Sequence, residues 1–396
     1  METIEEVVSQ KHLDAGVDLA QALVATPSVV GEEAPIGRVL EQWMNDLGLP
    51  GVELQEVAPD RYNAIATIDS GVPGPTIVLN GHMDTKTVCH GWERDPYDAV
   101  VEDGKLWGHG VMDMKAGLAS LVASAAAMND SGALTRGKIR VAAVCGHMAQ
   151  QEGSVAFFER YPEADLCILG ELSDLRVYLG HRGRIYFDVT TKGHAAHTYL
   201  REQAISAVNQ IARAVLALDA MRVSFPVTPE VEQVFGSHLI HAVGRVYGGL
   251  PPDGPSMIPD RATCRIDCRV PPGVVAADVL PYITAVLDGL REDDPDFAYE
   301  VVEADVKSSY YIPAASPQVG WMADAVQEAT GTPAELSGVG WLGDTASFGH
   351  MVPTVIFGPG REPIYSANEW LDITDIHTSV KVYAGTMVRA LAAASA

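Results

Sequence analysis

The first part of the chain alternates between short apolar runs and longer segments with apolar residues at helical spacing. Continuous apolar runs at 76–79 and 166–169 are typical of strands that are covered on both faces of a sheet. A mostly apolar segment at 114–128 predicts a buried helix, and it precedes a strand-like run at 138–145. Because strands and helices alternate in this order, the pattern predicts a doubly wound α/β domain.

The pattern changes at Arg184, where apolar and polar residues begin to alternate along the predicted strands. The elements of this part are strands at 184–191, 238–247 and 261–270 and helices at 203–218 and 273–290. They predict a small α+β domain inserted into the first one. The α/β pattern returns after about Val301, so we assign residues 1–183 and 299–396 to the α/β domain and 184–298 to the insert.

Composition narrows the class of protein. A chain of 396 residues is longer than one hydrophobic core usually serves, which agrees with two domains. The 27 basic and 52 acidic residues give a formal charge of −25, and such a surface repels nucleic acid. We expect no signal peptide and no membrane span, because no apolar run is long enough. The five cysteines are scattered, so we expect reduced thiols in a cytoplasmic protein.

Candidate metal ligands lie where predicted strands end. His82 and Asp84 follow one buried strand, and Glu171 follows another. Asp113 lies between a glycine-rich loop and the apolar helix. An aspartate two residues after a histidine can fix the tautomer of the imidazole and leave its other nitrogen for a metal. One imidazole and two carboxylates suit zinc, manganese or cobalt.

These residues also have simpler explanations. A histidine followed by a nearby aspartate is more often a satisfied loop side chain than a metal ligand. Asp113 stands at the start of a helix and is therefore also a candidate N-cap, a role that needs the same oxygens. Three such side chains at the ends of three elements are harder to explain separately, and this favours a metal site.

Seven motifs then point to a known family. In chain order they are VLNGHMDT, GHGVMDMKAG, ILGELSD, GHRGRIYFDVTTKGHAAHT, IPDRATCRIDCRVPPG, GDTASFG and FGPGREPIYSANEW. Together they resemble the metallopeptidase family that includes acetylornithine deacetylase, succinyl-diaminopimelate desuccinylase, aminoacylase and carboxypeptidase G. The resemblance covers nearly the whole chain. It implies a mixed-sheet catalytic domain built from two chain segments and an inserted lid domain that commonly makes a homodimer.

The resemblance also implies roles for individual residues. His82, Asp113 and Glu171 match the ligands of one metal ion, and Asp113 usually bridges to a second ion. Asp84 matches the residue that orients His82. His197 matches a lid histidine that stabilises the oxyanion in the partner subunit's site.

Substrate-side residues are less well defined. Arg269 and Asp344 fall where the family has substrate-side and loop residues, and Ser256 replaces a lid asparagine. Arg182, Arg184 or Arg269 is expected to hold a substrate carboxylate, because guanidinium groups bind carboxylates through two parallel hydrogen bonds. We therefore predict Arg182, Arg269, Ser256 and Asp344 as substrate-binding residues.

The chain departs from the family at the catalytic base. The family has two consecutive glutamates after the strand that ends near Cys145; the first is the general base and the second binds the second metal. Without a gap this pair aligns with His147 and Met148, and with a short insertion it aligns with Gln151 and Glu152. Neither alignment restores two glutamates.

A second departure concerns the second metal. Its remaining ligand in the family is a histidine, and Tyr365 stands in that position here. Methionine and glutamine are poor ligands for a hard divalent ion, so we predict one metal ion per chain. His147 is a candidate general base because an imidazole titrates near neutrality, and Glu152 is the competing candidate. Tyr365 is expected to hydrogen-bond the substrate or the attacking water.

Three functions are compatible with these residues. We favour hydrolytic deamination of an amino-substituted aromatic acid, because the single-site pattern resembles the 5-nitroanthranilate aminohydrolase branch, where an activated ring needs fewer catalytic groups. The alternative is an amidohydrolase, deacylase or dipeptidase that releases an amino acid from an N-acyl amino acid. The second alternative is a degenerate binding protein, against which the retained metal ligands argue.

Overall fold

The computed structural model describes residues 2–250 and 256–394. Within them the helices are α1 (Ile4–Val7), α2 (Gln10–Val24), α3 (Ala34–Asp46), α4 (Ala116–Ser131), α5 (Glu152–Arg160), α6 (Ala207–Asp219), α7 (Pro229–Phe235), α8 (Ala276–Asp293), α9 (Pro317–Thr330), α10 (Thr345–Phe348) and α11 (Ile373–Ala393). A π-helical turn spans Val111–Lys115, and a 3₁₀ segment spans Thr198–Gln203.

The strands, again within the described ranges, alternate with these helices. They are β1 (Glu53–Ala58), β2 (Arg61–Asp69), β3 (Thr76–His82), β4 (Val101–Glu102), β5 (Lys105–Trp107), β6 (Lys138–Val144), β7 (Leu166–Leu169), β8 (Val177–His181), β9 (Gly183–Lys192), β10 (Ala196–His197), β11 (Ile240–Gly248), β12 (Met257–Ile258), β13 (Arg261–Val270), β14 (Ala298–Lys307), β15 (Tyr310–Tyr311), β16 (Leu336–Val339), β17 (Thr354–Ile356) and β18 (Trp370–Asp372). The chain forms two compact units. The second comprises His181–Tyr311 and Gly338–Leu342, and the first comprises the described residues on either side.

The first unit contains a mixed sheet in the order β1-β2-β6-β3-β7-β17-β8. The strands β6, β3, β7 and β17 are parallel to one another, and the outer neighbours pair antiparallel. Val78 on β3 packs with Phe157 and Phe158 of α5. Gly81, on the opposite face of the same strand, lies against Leu121 of α4. Helices therefore cover both faces, and the predicted doubly wound mixed-sheet α/β class is confirmed.

The second unit is an α+β layer. Its main sheet has the order β11-β13-β9-β14 and is antiparallel. Buried and half-buried residues alternate along β9 and β13, and α6 and α8 pack against the buried side. This separate antiparallel sheet, inserted in sequence, agrees with the predicted α+β insert. The α/β alternation resumes only after β14, which is later than the predicted point near Val301. The predicted domain limits remain a prediction.

The helix α4 and the turn before it form the centre of the first unit. Residues 116–128 are buried on every side, which the run of alanine and leucine permits. The stretch Val111–Ser131 is long and apolar enough to cross a membrane, but its most apolar window of 18 residues is entirely buried inside the protein. Such burial is typical of the core helix of a soluble protein. The five cysteines are free thiols, as predicted.

Close approach of α4 to the sheet depends on glycine. A Cβ on Gly117 would lie 2.0 Å from the Gly170 carbonyl oxygen, whereas a Cβ on Gly289, in α8, would meet nothing within 4 Å. We predict that Gly117→Ala lowers the free energy of unfolding by about 1–3 kcal/mol through overpacking. The matched Gly289→Ala should raise it by roughly 0.5–1 kcal/mol, because alanine is the better helix former. Urea denaturation of both variants measures this, and equal effects would contradict the packing described.

Candidate metal centre

Parallel strands deliver the candidate ligands to one edge of the sheet. His82 is the last residue of β3 and pairs with Val144, the last residue of β6. Glu171 follows β7, which runs parallel to β3 on its other side. The carboxyl ends of parallel strands are where open α/β sheets place their functional groups. His82 and Glu171 therefore meet because their strands are neighbours.

His82 lies at the centre of the site. Its ring is fully buried, and its Nδ1 lies 2.9 Å from the backbone carbonyl oxygen of Asp84. Its Nε2 lies 3.1 Å from Asp113 Oδ1 and 3.5 Å from Glu171 Oε1. Because a carbonyl oxygen only accepts hydrogen bonds, Nδ1 carries the proton and Nε2 points its free electron pair at the two carboxylates in the neutral ring.

Asp113 does not cap a helix. The N-cap position of α4 is Lys115, and no side chain caps that helix end. The Asp113–Met114 peptide bond is cis. Asp113 itself lies inside the π-helical turn with non-helical backbone angles, after Gly110 in the left-handed region with φ of 77°. Its carboxylate contacts His82 Nε2, which favours the metal-site interpretation over the N-cap interpretation.

The Asp84 carboxylate contacts the backbone of the loop after β6, and the Asp84 backbone contacts His82. Its carboxylate accepts hydrogen bonds from the backbone N–H groups of His147, at 3.1 Å, and Met148, at 2.8 Å. Its Oδ1 is 3.9 Å from His82 Nδ1, farther than its own backbone carbonyl. The buried carboxylate therefore holds the loop after β6, while the backbone of the same residue orients His82.

His147 belongs to the site, and Glu152 does not contact it. The His147 ring stacks on His82 with centroids 4.1 Å apart, and its Nε2 lies 3.8 Å from Glu171 Oε1. Glu152 is half-exposed and lies 3.6 Å from Arg61. The Gln151 amide donates to the backbone carbonyl of Gly343 at 3.0 Å. This placement favours the alignment without a gap.

Met148 and Tyr365, which the sequence resemblance aligns with ligands of a second metal ion, contact each other. The Tyr365 hydroxyl donates to Met148 Sδ at 3.7 Å. Interaction with the same hydroxyl helps to lower the pKa of the Asp113 carboxylate. That a thioether and a phenol replace the family's carboxylate and imidazole stays a prediction from the sequence resemblance.

The charges of the site suit a cation. Burial and the charge of Asp113 raise the pKa of Glu171 well above its usual range. Although burial opposes ionisation, the hydrogen bond and charge of His82 lower the pKa of Asp113. Burial also opposes protonation of His82, yet Asp113 raises the pKa of that imidazole to about 9. Two buried carboxylates beside the imidazoles of His82 and His147 are a fitting donor set for a divalent ion.

The donor atoms are close enough for one ion. His82, His147 and Glu171 each offer a ligand atom, and these atoms all lie within 4.8 Å of one another. Asp113 joins this group through its 3.1 Å contact with His82. The predicted ligands His82, Asp113 and Glu171 are therefore brought together, and we name them the metal group.

Two of the other predicted residues lie in the second unit. His197 is exposed, and its Nδ1 accepts a hydrogen bond from the Tyr199 backbone N–H at 3.1 Å. Ser256 is exposed, and its carbonyl accepts from the backbone N–H of Thr198 at 3.1 Å. These contacts order the segment around β10 and leave the roles of His197 and Ser256 as predictions.

The arginines of this unit are engaged in local contacts. The Arg182 guanidinium donates to the backbone carbonyls of His238, at 2.7 Å, Arg269, at 3.2 Å, and Phe235. Arg269 binds Asp267 through Nε at 2.7 Å and a terminal nitrogen at 3.1 Å. A substrate carboxylate would have to share or replace these partners, and the substrate role of both arginines remains a prediction.

Two acidic residues have contacts that sequence patterns did not predict. Asp344, predicted on the substrate side, is buried and lies 2.8 Å from His147 Nδ1. Glu369 is buried, and its Oε2 accepts from the Gly110 backbone N–H at 2.6 Å. It therefore supports the loop that carries Asp113. The signal for Glu369 was its place in the IYSANEW motif, whereas no spacing rule links Asp344 with His147.

A buried imidazole beside two carboxylates, at the carboxyl ends of parallel strands, defines a divalent-metal centre of the hydrolase type. The chain belongs to peptidase family M20/M25/M40, because the model of that family matches residues 78–389. The family resemblance found in the sequence is thereby confirmed, and the chain is a metal-dependent hydrolase of C–N bonds.

Curated relatives match over nearly the full chain. A succinyl-diaminopimelate desuccinylase of Beijerinckia indica subsp. indica is 25% identical over 389 residues, which cover 93% of this chain and 97% of the relative. An acetylornithine deacetylase of Pectobacterium carotovorum subsp. carotovorum is 25% identical over 379 residues, 91% of this chain and 94% of the relative.

Solved structures share the fold. An M20 family metallo-carboxypeptidase from Sulfolobus solfataricus has a TM-score of 0.77 at 15% identity, covering 97% of this chain and 100% of that one. A tripeptidase from Staphylococcus aureus has a TM-score of 0.75 at 19% identity, covering 97% and 98%. Both agree with a catalytic sheet and a separate antiparallel sheet in one chain.

The buried carboxyl of Glu369 gives a test by pH. Burial and the charge of Asp113 raise the pKa of Glu369 to about 7, against the hydrogen bond from Gly110. The folded state therefore binds the proton of Glu369 more tightly than the unfolded state does. The resulting stabilisation of the fold is fully present at low pH and is lost as the pH rises through about 7. The Glu369→Gln side chain is neutral at every pH. We predict that the free energy of unfolding of this variant, relative to that of wild type, rises by about 3 kcal/mol between pH 4.5 and pH 8.

Urea denaturation of metal-free protein at the two pH values measures this difference. Glu163→Gln, at an exposed position, is the control and should show no such change. A stability difference for Glu369→Gln that stays constant with pH would rule out the buried neutral carboxyl.

Proposed function

We propose that this protein hydrolyses an amide bond and releases an amino acid from an N-acyl amino acid or a small peptide. The observation that carries the proposal is the buried metal group of His82, Asp113 and Glu171. The relatives named desuccinylase and deacetylase, which align along nearly the whole chain, support the substrate class.

One divalent ion, manganese, zinc or cobalt, would be held by the metal group. When bound, such an ion lowers the pKa of a coordinated water and polarises the substrate carbonyl. The contact between Met148 and Tyr365 supports a single ion, because a thioether and a protonated phenol are poor ligands for a hard divalent ion. Burial and the charge of Asp113 raise the pKa of Tyr365, which keeps the phenol protonated.

The chain's own groups would do the proton chemistry. His147 is the proton acceptor in this proposal, because its Nε2 lies beside Glu171 while Glu152 pairs with Arg61. The Tyr365 hydroxyl, which interacts with the Asp113 carboxylate, would hydrogen-bond the attacking water. Amide hydrolysis needs both a proton acceptor and a donor for the leaving amine, and one imidazole can serve in turn as both.

This proposal replaces the function that the sequence favoured, hydrolytic deamination of an amino-substituted aromatic acid. The comparisons support the amide-hydrolysing alternative better and give no support to the nitroanthranilate branch. Of the arginines expected to hold an aromatic carboxylate, Arg182 is engaged with backbone carbonyls, Arg269 with Asp267 and Arg184 with Asp305. The degenerate-protein alternative is not supported either, because the whole metal group is retained and buried.

Assembly and location stay proposals. We propose a homodimer formed through the second unit, in which the partner's His197 would supply the oxyanion contact, as the family resemblance implies. The free cysteines are consistent with a cytoplasmic protein.

Activity against two substrate panels tests the proposal. N-acetyl and N-succinyl amino acids and dipeptides form one panel, and aminobenzoates with and without a nitro group form the other. We expect turnover of the first panel only, and His82→Ala should lower kcat/KM by at least about a thousandfold, because metal binding and carbonyl polarisation are lost together. The exposed His350→Ala is the control. Activity confined to the aminobenzoates, or a fully active His82→Ala, would refute the proposal.

A further inference from the structure

The two nitrogens of His147 have different surroundings. Nδ1 lies 2.8 Å from Asp344 Oδ1, and Nε2 faces the metal group, 3.8 Å from Glu171 Oε1. An ionised carboxylate only accepts hydrogen bonds, so the pair places the proton on Nδ1. The neutral ring then has its free electron pair on Nε2, on the side of the site.

The stacking of the two rings argues that His147 is not a second imidazole ligand of the same ion. The rings of His82 and His147 are 9° from parallel, with centroids 4.1 Å apart. The electron pair of an imidazole nitrogen lies in the plane of its ring, and two stacked planes do not converge on one point. His82 Nε2 faces Asp113 and Glu171 of the metal group, and His147 therefore lies beside that group as a separate imidazole.

Asp344 is itself held in place. Its Oδ2 accepts a hydrogen bond from Ser154 Oγ at 2.9 Å, and the adjoining Gly343 carbonyl accepts from Gln151 Nε2 at 3.0 Å. Its side chain is about 1% exposed. On the other side, the Asp84 carboxylate holds the backbone N–H of His147. The imidazole is therefore fixed through both its side chain and its backbone.

We propose that Asp344 is a positioning residue that makes His147 the proton acceptor of this site, so that a histidine–aspartate pair takes the place of a carboxylate base. The inference rests on the proposed amide hydrolysis. Water oxygen bonds to the carbonyl carbon as its proton passes to His147 Nε2. The C–N bond then breaks, and the same proton passes to the leaving nitrogen, which gives a carboxylic acid and an amine. The Nδ1 proton stays on the ring throughout.

The test compares Asp344→Asn with wild type. The amide can donate to Nδ1 and so permits the other tautomer, with the proton on Nε2. We expect kcat to fall by about a hundredfold or more, the usual contribution of a general base. KM should change by less than about threefold, and the metal content per chain should not change. Asp174→Asn, at a position away from these contacts and exposed, is the matched control.

Nuclear magnetic resonance of protein labelled with ¹⁵N-histidine gives a readout that is independent of activity. At pH 8 we expect His147 to carry its proton on Nδ1 in wild type, and to lose that preference in Asp344→Asn. His147→Gln identifies the signal and should retain the bound metal. Loss of the metal from His147→Gln would make His147 a ligand and overturn the inference, as would unchanged kcat in Asp344→Asn.

The outcomes separate this inference from the proposed function. A wild-type protein that hydrolyses neither panel refutes the proposed function, while the tautomer measurement still decides whether Asp344 sets the proton position on His147. A wild-type protein that is active and has His147 protonated on Nε2 refutes the inference alone.

Discussion

Two carboxylates, Asp113 and Glu171, are buried beside one imidazole, and this arrangement constrains the rest of the site. Like charges in a poorly solvated position repel, and together with burial this repulsion raises the pKa of Glu171, whereas His82 lowers the pKa of Asp113. His82 offsets part of it with a protonated ring, which a divalent ion would replace. Three features keep these groups together. They are the parallel pairing of β3 and β7, the close glycine contacts of α4, and the hydrogen bond from the Gly110 backbone to Glu369, which supports the loop that carries Asp113.

The same constraint explains the changed surroundings of the metal group. With Met148 and Tyr365 in contact, a phenol interacts with Asp113, the residue that the family resemblance expects to bridge to a second ion. In the proposed single-ion site, the lost metal ligand and the lost glutamate base are linked, because His147 and Met148 are neighbours on the loop after β6. In our proposal His147 takes the place of the base, and Asp344, 2.8 Å from its Nδ1, supplies the negative charge that a glutamate would have carried itself.

Much of this was predictable from the sequence. Polar residues after buried strands identified His82, Asp84 and Glu171, because the carboxyl ends of parallel strands meet at one edge. The fold class followed from the same alternation. The strand β14 was not predicted, since its residues are half-buried or exposed and give weak periodicity.

The side-chain partners were not predictable. Asp344 and His147 lie 197 positions apart, and only the folded sheet brings them to 2.8 Å. The choice between His147 and Glu152 was open because two alignments fit one short loop; the contact of Glu152 with Arg61 favours one of them. Asp84 shows a subtler limit, since the spacing predicted its partner but not that its backbone, rather than its carboxylate, would orient His82.

A centre with a single ion can be checked by the metal content of the protein. The protein should be loaded with manganese or zinc, dialysed and measured by elemental mass spectrometry, beside the double variant Met148→Glu/Tyr365→His, which restores the family's ligands. About one ion per chain in wild type and about two in the double variant is the expected result. Two ions per chain in the wild type would contradict the single-ion centre, since Met148 and Tyr365 would then not have closed the second site.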